Sequence, residues 1–272
     1  MTLHFTKMNG AGNDFVVVDN RRGELSLSRE TIARLCDRHR GVGADGLLAV
    51  EPAEHGATTG ADFRMRYYNA DGGEAEMCGN GARCFARFAG RLAGLAERVS
   101  FETQAGVIRA EFIGGNVRLA MSEPQGMRLR ESVALESATL TVHSVNTGVP
   151  HAVVVVDDLD AVPVAEYGAG IRFHAHFAPR GTNANFIAPV DAQTIAIRTY
   201  ERGVEAETLA CGTGVVASAL VFHELTGAKS PIAVRVRGGD TLSVAFTGTR
   251  GAYQAVTLTG PADFVFEGEI GI

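Results

Sequence analysis

Lysine is almost missing from this chain: Lys7 and Lys229 are the only two, and the remaining basic residues are arginine. A pyridoxal enzyme holds its cofactor on a Schiff-base lysine. Neither lysine stands in a glycine-rich or strand-end setting, so no pyridoxal is expected, and the chain is read as working without a cofactor. Cysteine is scarce as well. Cys36, Cys78, Cys84 and Cys211 are too few and too scattered over 272 residues for a disulfide framework. Cys78 and Cys84 are not at zinc-ligand offsets and no second Cys/His pair completes a site, so no metal is expected. No apolar run approaches the roughly 20 residues of a membrane span, and the opening residues lack the charged-then-apolar layout of a secretion signal. A cytoplasmic protein with no membrane partner is the expectation. A formal net charge of -6 with dispersed arginines excludes the basic stripe of a nucleic-acid-binding surface. A small polar or charged ligand is left as the partner class, on a chain long enough for one large or two medium domains.

Within that frame the chain repeats itself. Gly12-Asn13-Asp14-Phe15-Val16-Val17-Val18-Asp19 is echoed by Gly148-Val149-Pro150-His151-Ala152-Val153-Val154-Val155-Val156-Asp157. Arg40-Gly41 pairs with Arg180-Gly181, and Arg66-Tyr67-Tyr68-Asn69 with Arg198-Thr199-Tyr200-Glu201. Each half then reaches a cysteine in the same phrase, Ala75-Glu76-Met77-Cys78-Gly79-Asn80-Gly81 and Thr208-Leu209-Ala210-Cys211-Gly212-Thr213-Gly214. Self-similarity at this scale predicts an internal duplication.

Runs rich in Val, Ile and Phe predict strands at 15–19, 47–50, 63–68, 107–112 and 117–121 in the first half. In the second half they fall at 139–142, 152–156, 195–200, 232–236 and 242–246. Helical periodicity covers 29–39, with Ser28 as N-cap, and then 79–92 and 212–225. The expected fold class is α+β: two pseudo-symmetric domains, each a curved mixed sheet wrapped around a central helix. Ser122-Glu123-Pro124-Gln125-Gly126 marks the boundary. The domains are taken as 1–121 with a C-terminal strand at 263–272, carrying Cys78, and 122–262, carrying Cys211.

Two helices thus begin directly after the two cysteines. A helix N-terminus carries unpaired N–H groups and partial positive charge, which favour a thiolate and a bound carboxylate alike. The glycines of Gly79-Asn80-Gly81 and Gly212-Thr213-Gly214 let a carboxylate approach those groups. Inverting an amino-acid Cα needs one group to remove a proton and another to supply one on the opposite face, and a thiolate/thiol pair does both. Cys36 and Cys84 lie inside apolar helical patterns and are read as core. Gly41-Val42-Gly43-Ala44-Asp45-Gly46 spells G-x-G-x-x-G, but a helix precedes it and a strand follows, the reverse of the dinucleotide-binding order.

With these residues in hand, the chain closely resembles diaminopimelate epimerase over essentially its whole length. The resemblance rests on Gly10-Ala11-Gly12-Asn13-Asp14-Phe15, on Asn69-Ala70-Asp71-Gly72, on Cys78-Gly79-Asn80-Gly81-Ala82-Arg83-Cys84, on Glu201-Arg202-Gly203 with Glu207-Thr208, and on Ala210-Cys211-Gly212-Thr213-Gly214. Proline and hydroxyproline epimerases share the two-thiol logic but typically carry histidine where this chain has Asn80. The resemblance implies a pyridoxal-independent isomerase interconverting LL- and meso-diaminopimelate in lysine and peptidoglycan-precursor biosynthesis, commonly a homodimer. It implies Cys78 and Cys211 as catalytic thiols, and Asn13, Asn69, Gly79, Asn80, Asn183, Glu201, Arg202, Gly212 and Thr213 as substrate-binding positions. His151 and Glu201 are implied to flank the reacting centre, and Arg202 to pair with the distal carboxylate. Two departures stand out: Val149 where family members often have asparagine, and Gly46 where some have glutamine. Both touch recognition of the distal end.

Overall fold

The computed structural model describes residues 2–75, 77–249 and 251–272. Glu76, part of the phrase that leads to Cys78, lies outside the described residues. In chain order the elements are β1 (Thr2–Gly10), β2 (Asn13–Asp19), α1 (Arg29–Cys36), β3 (Gly46–Pro52), α2 (Gly56–Thr59), β4 (Phe63–Asn69) and β5 (Glu74–Ala75). Then come α3 (Gly79–Ala93), β6 (Arg98–Thr103), β7 (Gly106–Ile113), β8 (Asn116–Ala120), β9 (Gln125–Ala134), β10 (Thr139–Asn146), β11 (Pro150–Val155) and α4 (Val164–Arg172). The last are β12 (Asn183–Asp191), β13 (Thr194–Glu201), β14 (Ala206–Thr208), α5 (Gly212–Thr226), β15 (Ile232–Arg235), β16 (Thr241–Thr249), β17 (Ala252–Pro261) and β18 (Asp263–Gly271). Among the described residues no helix is long and apolar enough to cross a membrane.

The chain divides into two compact units, Met1–Leu119 with Gly260–Ile272, and Ala120–Thr259. In the first unit the strands run β18-β1-β2-β3-β4-β6-β7-β8, with β5 a short partner of β4. In the second they run β9-β10-β11-β12-β13-β15-β16-β17, with β14 a short partner of β13. Parallel pairs fall at the same places, β2–β3 and β4–β6 in one unit and β11–β12 and β13–β15 in the other. Order, strand direction and points of helix insertion all recur, so the repeated phrases do mark a duplication.

Each unit winds its sheet around one helix. α3 packs against β1, β2, β3, β4, β6 and β7, and α5 against β10, β11, β12, β13, β15 and β16. Six strands about 4.8 Å apart span about 24 Å, roughly twice the diameter of a helix, so a flat sheet could not reach it with all six. The composition of α5 fits this place: Val215, Val216, Ala217, Ala219, Leu220, Val221 and Phe222 are all buried, as expected of a helix enclosed on every side. The opposite sheet faces are covered by the crossover helices. Val16, Val18, Leu47 and Ala49 pack with Ile32 and Leu35 of α1, and Ala152, Val154, Ala184 and Phe186 pack with Val164 and Ile171 of α4. Strands buried on both faces read as unbroken apolar runs, which is why the valine runs of β2 and β11 stand out in the sequence.

The first helix is shorter than its periodicity suggests. It ends at Cys36 because the Asp37 carboxylate accepts from the backbone N–H groups of His39 and Arg40, giving the chain an alternative to another helical turn. Gly41 then passes so close to the Arg34 and Leu35 carbonyls that a Cβ there would collide with backbone.

Candidate active site

In the first unit the route to the thiol is the β4–β5 hairpin, which pairs Tyr67 with Ala75 and Tyr68 with Glu74. Arg66 Nε lies 2.6 Å from Glu74 Oε1 and ties the hairpin together. Just beyond it Cys78 is the N-cap of α3, in extended conformation (φ -135°, ψ 123°), with its Sγ accepting from the Gly81 N–H at 3.5 Å. Sulfur thus stands where a cap oxygen usually does, at the positive end of the helix dipole.

Behind Cys78 a line of polar side chains fixes the first turn. Asn80, buried, donates from Nδ2 to Asn13 Oδ1 at 2.5 Å, and Asn13 donates from Nδ2 to Asp45 Oδ2 at 2.9 Å. Arg38 bridges onward, 2.9 Å to Asp45 and a two-pronged contact to Asp14, while the Lys7 ammonium sits 2.7 Å from Asp14. Burial alone would raise the Asp14 pKa, but hydrogen bonds from Arg38 and Lys7 outweigh it and hold the carboxyl at about 2. Lys7, one of the two lysines, is therefore a structural counter-ion. Asn69 directs its Oδ1 to the Tyr67 hydroxyl at 2.9 Å. Its strand partner is Gly46, where a Cβ would press on the Tyr68 carbonyl and the Tyr67 ring. A larger side chain has no room at this position.

In the second unit the β13–β14 hairpin repeats the device. Thr199 pairs with Thr208 and Tyr200 with Glu207, and Arg198 Nε meets Glu207 Oε1 at 2.8 Å. Cys211 is the N-cap of α5 (φ -120°, ψ 109°) and is 7% exposed. Its Sγ lies 3.6 Å from the Thr213 hydroxyl, and that oxygen is 2.9 Å from His151 Nε2. Thr147 Oγ1 donates to the Thr213 carbonyl at 2.9 Å. On its other side His151 Nδ1 faces Asn185 Nδ2 at 3.2 Å, and Asn185 Oδ1 accepts from the Thr199 hydroxyl at 3.0 Å. Burial and, secondarily, the Arg202 charge push the His151 pKa down to about 3, so the ring is neutral.

Asn183 braces the same unit. Its Nδ2 donates to the Pro150 carbonyl at 3.0 Å, and its Oδ1 accepts from the Arg202 backbone N–H at 2.8 Å. The Arg202 guanidinium reaches the Arg180 carbonyl at 3.3 Å. Burial raises the Glu201 carboxyl pKa, with partial relief from the Thr208 hydroxyl 2.9 Å from Oε2.

The structure therefore gathers Asn13, Gly79 and Asn80 at the Cys78 helix start, and His151, Gly212 and Thr213 at the Cys211 helix start. Asn183, Glu201 and Arg202 follow at the ends of β12 and β13. Asp45, Thr147, Asn185 and Thr199 also belong to these surroundings, although the sequence does not single them out as site residues. Asp45 sits inside the G-x-G-x-x-G-like phrase, whose role here is to brace Asn13 between α1 and β3. Cys36 and Cys84 are buried, and burial pushes their thiols up to about 11 and about 12. Among the described residues no cluster of three or more His, Cys, Asp or Glu side chains could hold a metal ion.

Comparison with known proteins follows the same lines. Residues 5–125 and 143–265 match the family model described as diaminopimelate epimerase. The chain is 43% identical to the diaminopimelate epimerase of Aquifex aeolicus, with 98% of each chain covered. It is 44% identical to that of Aromatoleum aromaticum, with 100% of each covered. Among solved structures, a phenazine biosynthesis protein of the PhzF family from Bacillus anthracis superposes with a TM-score of 0.72 at 18% identity, covering 100% of both chains. A hydroxyproline epimerase from Agrobacterium vitis, with bound trans-4-hydroxy-L-proline, gives 0.70 at 17%, covering 99% of this chain and 92% of that one. At such identity the two structures speak to the fold alone.

Proposed function

Since the chain belongs to the diaminopimelate epimerase family, we propose that it interconverts LL- and meso-diaminopimelate by a two-base proton transfer at Cα, within lysine and peptidoglycan-precursor biosynthesis. The observation that carries this reading is the repeated one: in each unit a hairpin delivers a cysteine to the N-cap of the enclosed helix, Cys78 on α3 and Cys211 on α5. One sulfur, as thiolate, takes the α-proton from one face of the carbon. The other, as thiol, gives its proton to the opposite face. Proton count is unchanged, and the sulfurs end with their roles exchanged, ready for the opposite isomer. Backbone N–H groups at Gly79-Asn80 and Gly212-Thr213 take the reacting carboxylate and oppose the negative charge that develops as the proton leaves.

In the same reading Asn13, Asn69 and Asn183 bind the substrate, Arg202 pairs with the distal carboxylate, and Glu201 and His151 flank the reacting carbon. The enzyme acts as a cytoplasmic homodimer on a free amino acid, a state that sedimentation of the purified protein checks.

Incubation with LL-diaminopimelate in deuterium oxide, followed by chiral separation, tests the reading. The meso isomer with deuterium at the inverted carbon is expected, with proline, hydroxyproline and glutamate untouched. Inversion of proline and not of diaminopimelate would overturn the substrate. Cys78→Ala and Cys211→Ala are each expected to lose a factor on the order of 10³ or more in turnover with the fold retained. Parental turnover by either variant would sink the two-base step.

A further inference from the structure

The duplication supplies an internal control for the surroundings of the two thiols. β2 and β3 pair Phe15 with Gly46 and Val17 with Leu48, while β11 and β12 pair His151 with Asn183 and Val153 with Asn185. Phe15 and His151 thus hold equivalent places, as do Leu48 and Asn185. The helices agree: a Cβ on Gly81 would meet Leu48 and Phe15, and one on Gly214 would meet Asn185 and His151. All four side chains are buried. One unit builds this spot from two apolar side chains, so the fold itself does not call for the polar pair, whose burial carries a desolvation cost.

Each polar atom of the second unit's version points one way. Asn185 Nδ2 donates to the Ala152 carbonyl at 2.9 Å and Oδ1 accepts from Thr199, so turning the amide over would set two oxygens against each other. The remaining Nδ2 hydrogen meets His151 Nδ1, which is therefore an acceptor. The ring's hydrogen belongs on Nε2, which faces Thr213 Oγ1. With that oxygen accepting from the ring, its own proton is directed to Cys211 Sγ.

We propose that Asn185, backed by Thr199, is a positioning residue that locks His151 in its Nε2–H tautomer and so makes the Thr213 hydroxyl a hydrogen-bond donor to the Cys211 thiolate. His151 does not serve as a base for Cys211, because its Nε2 has no lone pair to offer. The charge left on Cys211 after it gives up its proton is met by a donor already in place. In the first unit the equivalent side chains, Phe15 and Leu48, offer no polar atom for such a chain. The proposal rests on Cys211 being an acid/base thiol, but its test needs no turnover and so fails separately from the epimerase assay in deuterium oxide.

Nitrogen-15 spectra of the labelled wild-type protein read the tautomer directly. A hydrogen on His151 Nε2 and none on Nδ1 is expected at neutral pH, and the reverse overturns the proposal without any variant. Asn185→Asp, nearly isosteric, replaces the donor with an acceptor, and the ring hydrogen is expected to move to Nδ1. Thr213 then turns its proton to Nε2 and away from the sulfur. Above the imidazolium titration of that variant, located in the same spectra, iodoacetamide should modify Cys211 about tenfold more slowly than in the parent, with Cys78 in the same sample changed by less than about twofold. An unchanged Cys211 rate with the hydrogen moved overturns the proposal. Equal slowing of both cysteines does so too, since an effect shared by Cys78 does not run through the Thr213 hydroxyl.

Discussion

Cys84 lies one helical turn beyond Asn80 and Cys36 ends α1, and both are buried among side chains that raise their thiol pKa values to about 12 and about 11. At about pH 8 neither carries an appreciable thiolate. Iodoacetamide should leave both unmodified in the native protein and react only after denaturation, as peptide mass mapping would show. A different kind of residue is Asp45, which fixes the Asn13 amide while sharing Arg38 with Asp14. Asp45→Ala leaves Asn13 without its acceptor and should raise KM for diaminopimelate about tenfold with a smaller change in kcat, the pattern of weakened ground-state binding. Steady-state kinetics decide it, and an unchanged KM would remove Asp45 from any part in recognition.

Among elements, the two enclosed helices begin alike but tolerate change differently. A Cβ on Gly81 would make ordinary contacts at 3.4 Å with Leu48 and Phe15, whereas on Gly214 it would run into Asn185 Oδ1. Gly81→Ala should therefore fold as well as the parent, helped by the better helix propensity of alanine. Gly214→Ala should lose about 1–3 kcal/mol from overpacking, and urea denaturation of the pair measures the contrast. The paired hairpins differ as well: Arg198 meets Glu207 and also donates to the Leu159 and Val162 carbonyls, while Arg66 is held by Glu74 and Glu51. Arg198→Met leaves two carbonyls and a carboxylate without their donor and should destabilise by about 2–3 kcal/mol, more than Arg66→Met.

The valine runs of β2 and β11 and the helices after Cys78 and Cys211 were legible because burial on both sheet faces and glycine-rich helix starts leave plain marks in the sequence. β12 was not. It opens on Asn183-Ala184-Asn185, residues poor in β propensity, and becomes a strand only through its pairing with β11 and β13. Asn185 was invisible for the same reason, since only strand register gives it the place that Leu48 holds in the first unit.

For the whole molecule, acid is the informative stress. His151 has a folded pKa of about 3 against an ordinary 6.5, so the unfolded chain binds its proton first as pH falls. Its contribution to stability is complete above about pH 6.5 and is lost progressively down to about 3, with a slope of up to about 1.4 kcal/mol per pH unit. Urea midpoints at several pH values between 4 and 7 should fall toward acid, and His151→Gln should flatten that limb. A slope indifferent to the substitution would place the acid sensitivity elsewhere. The order of the strands carries a last consequence. β1 pairs with β18, so the first unit draws its edge strand from residues that follow the entire second unit along the chain. During synthesis Ala120–Thr259 leaves the ribosome complete and free to close, while the earlier unit waits with one flank of β1 bare. The half that is translated first is the half that is finished last.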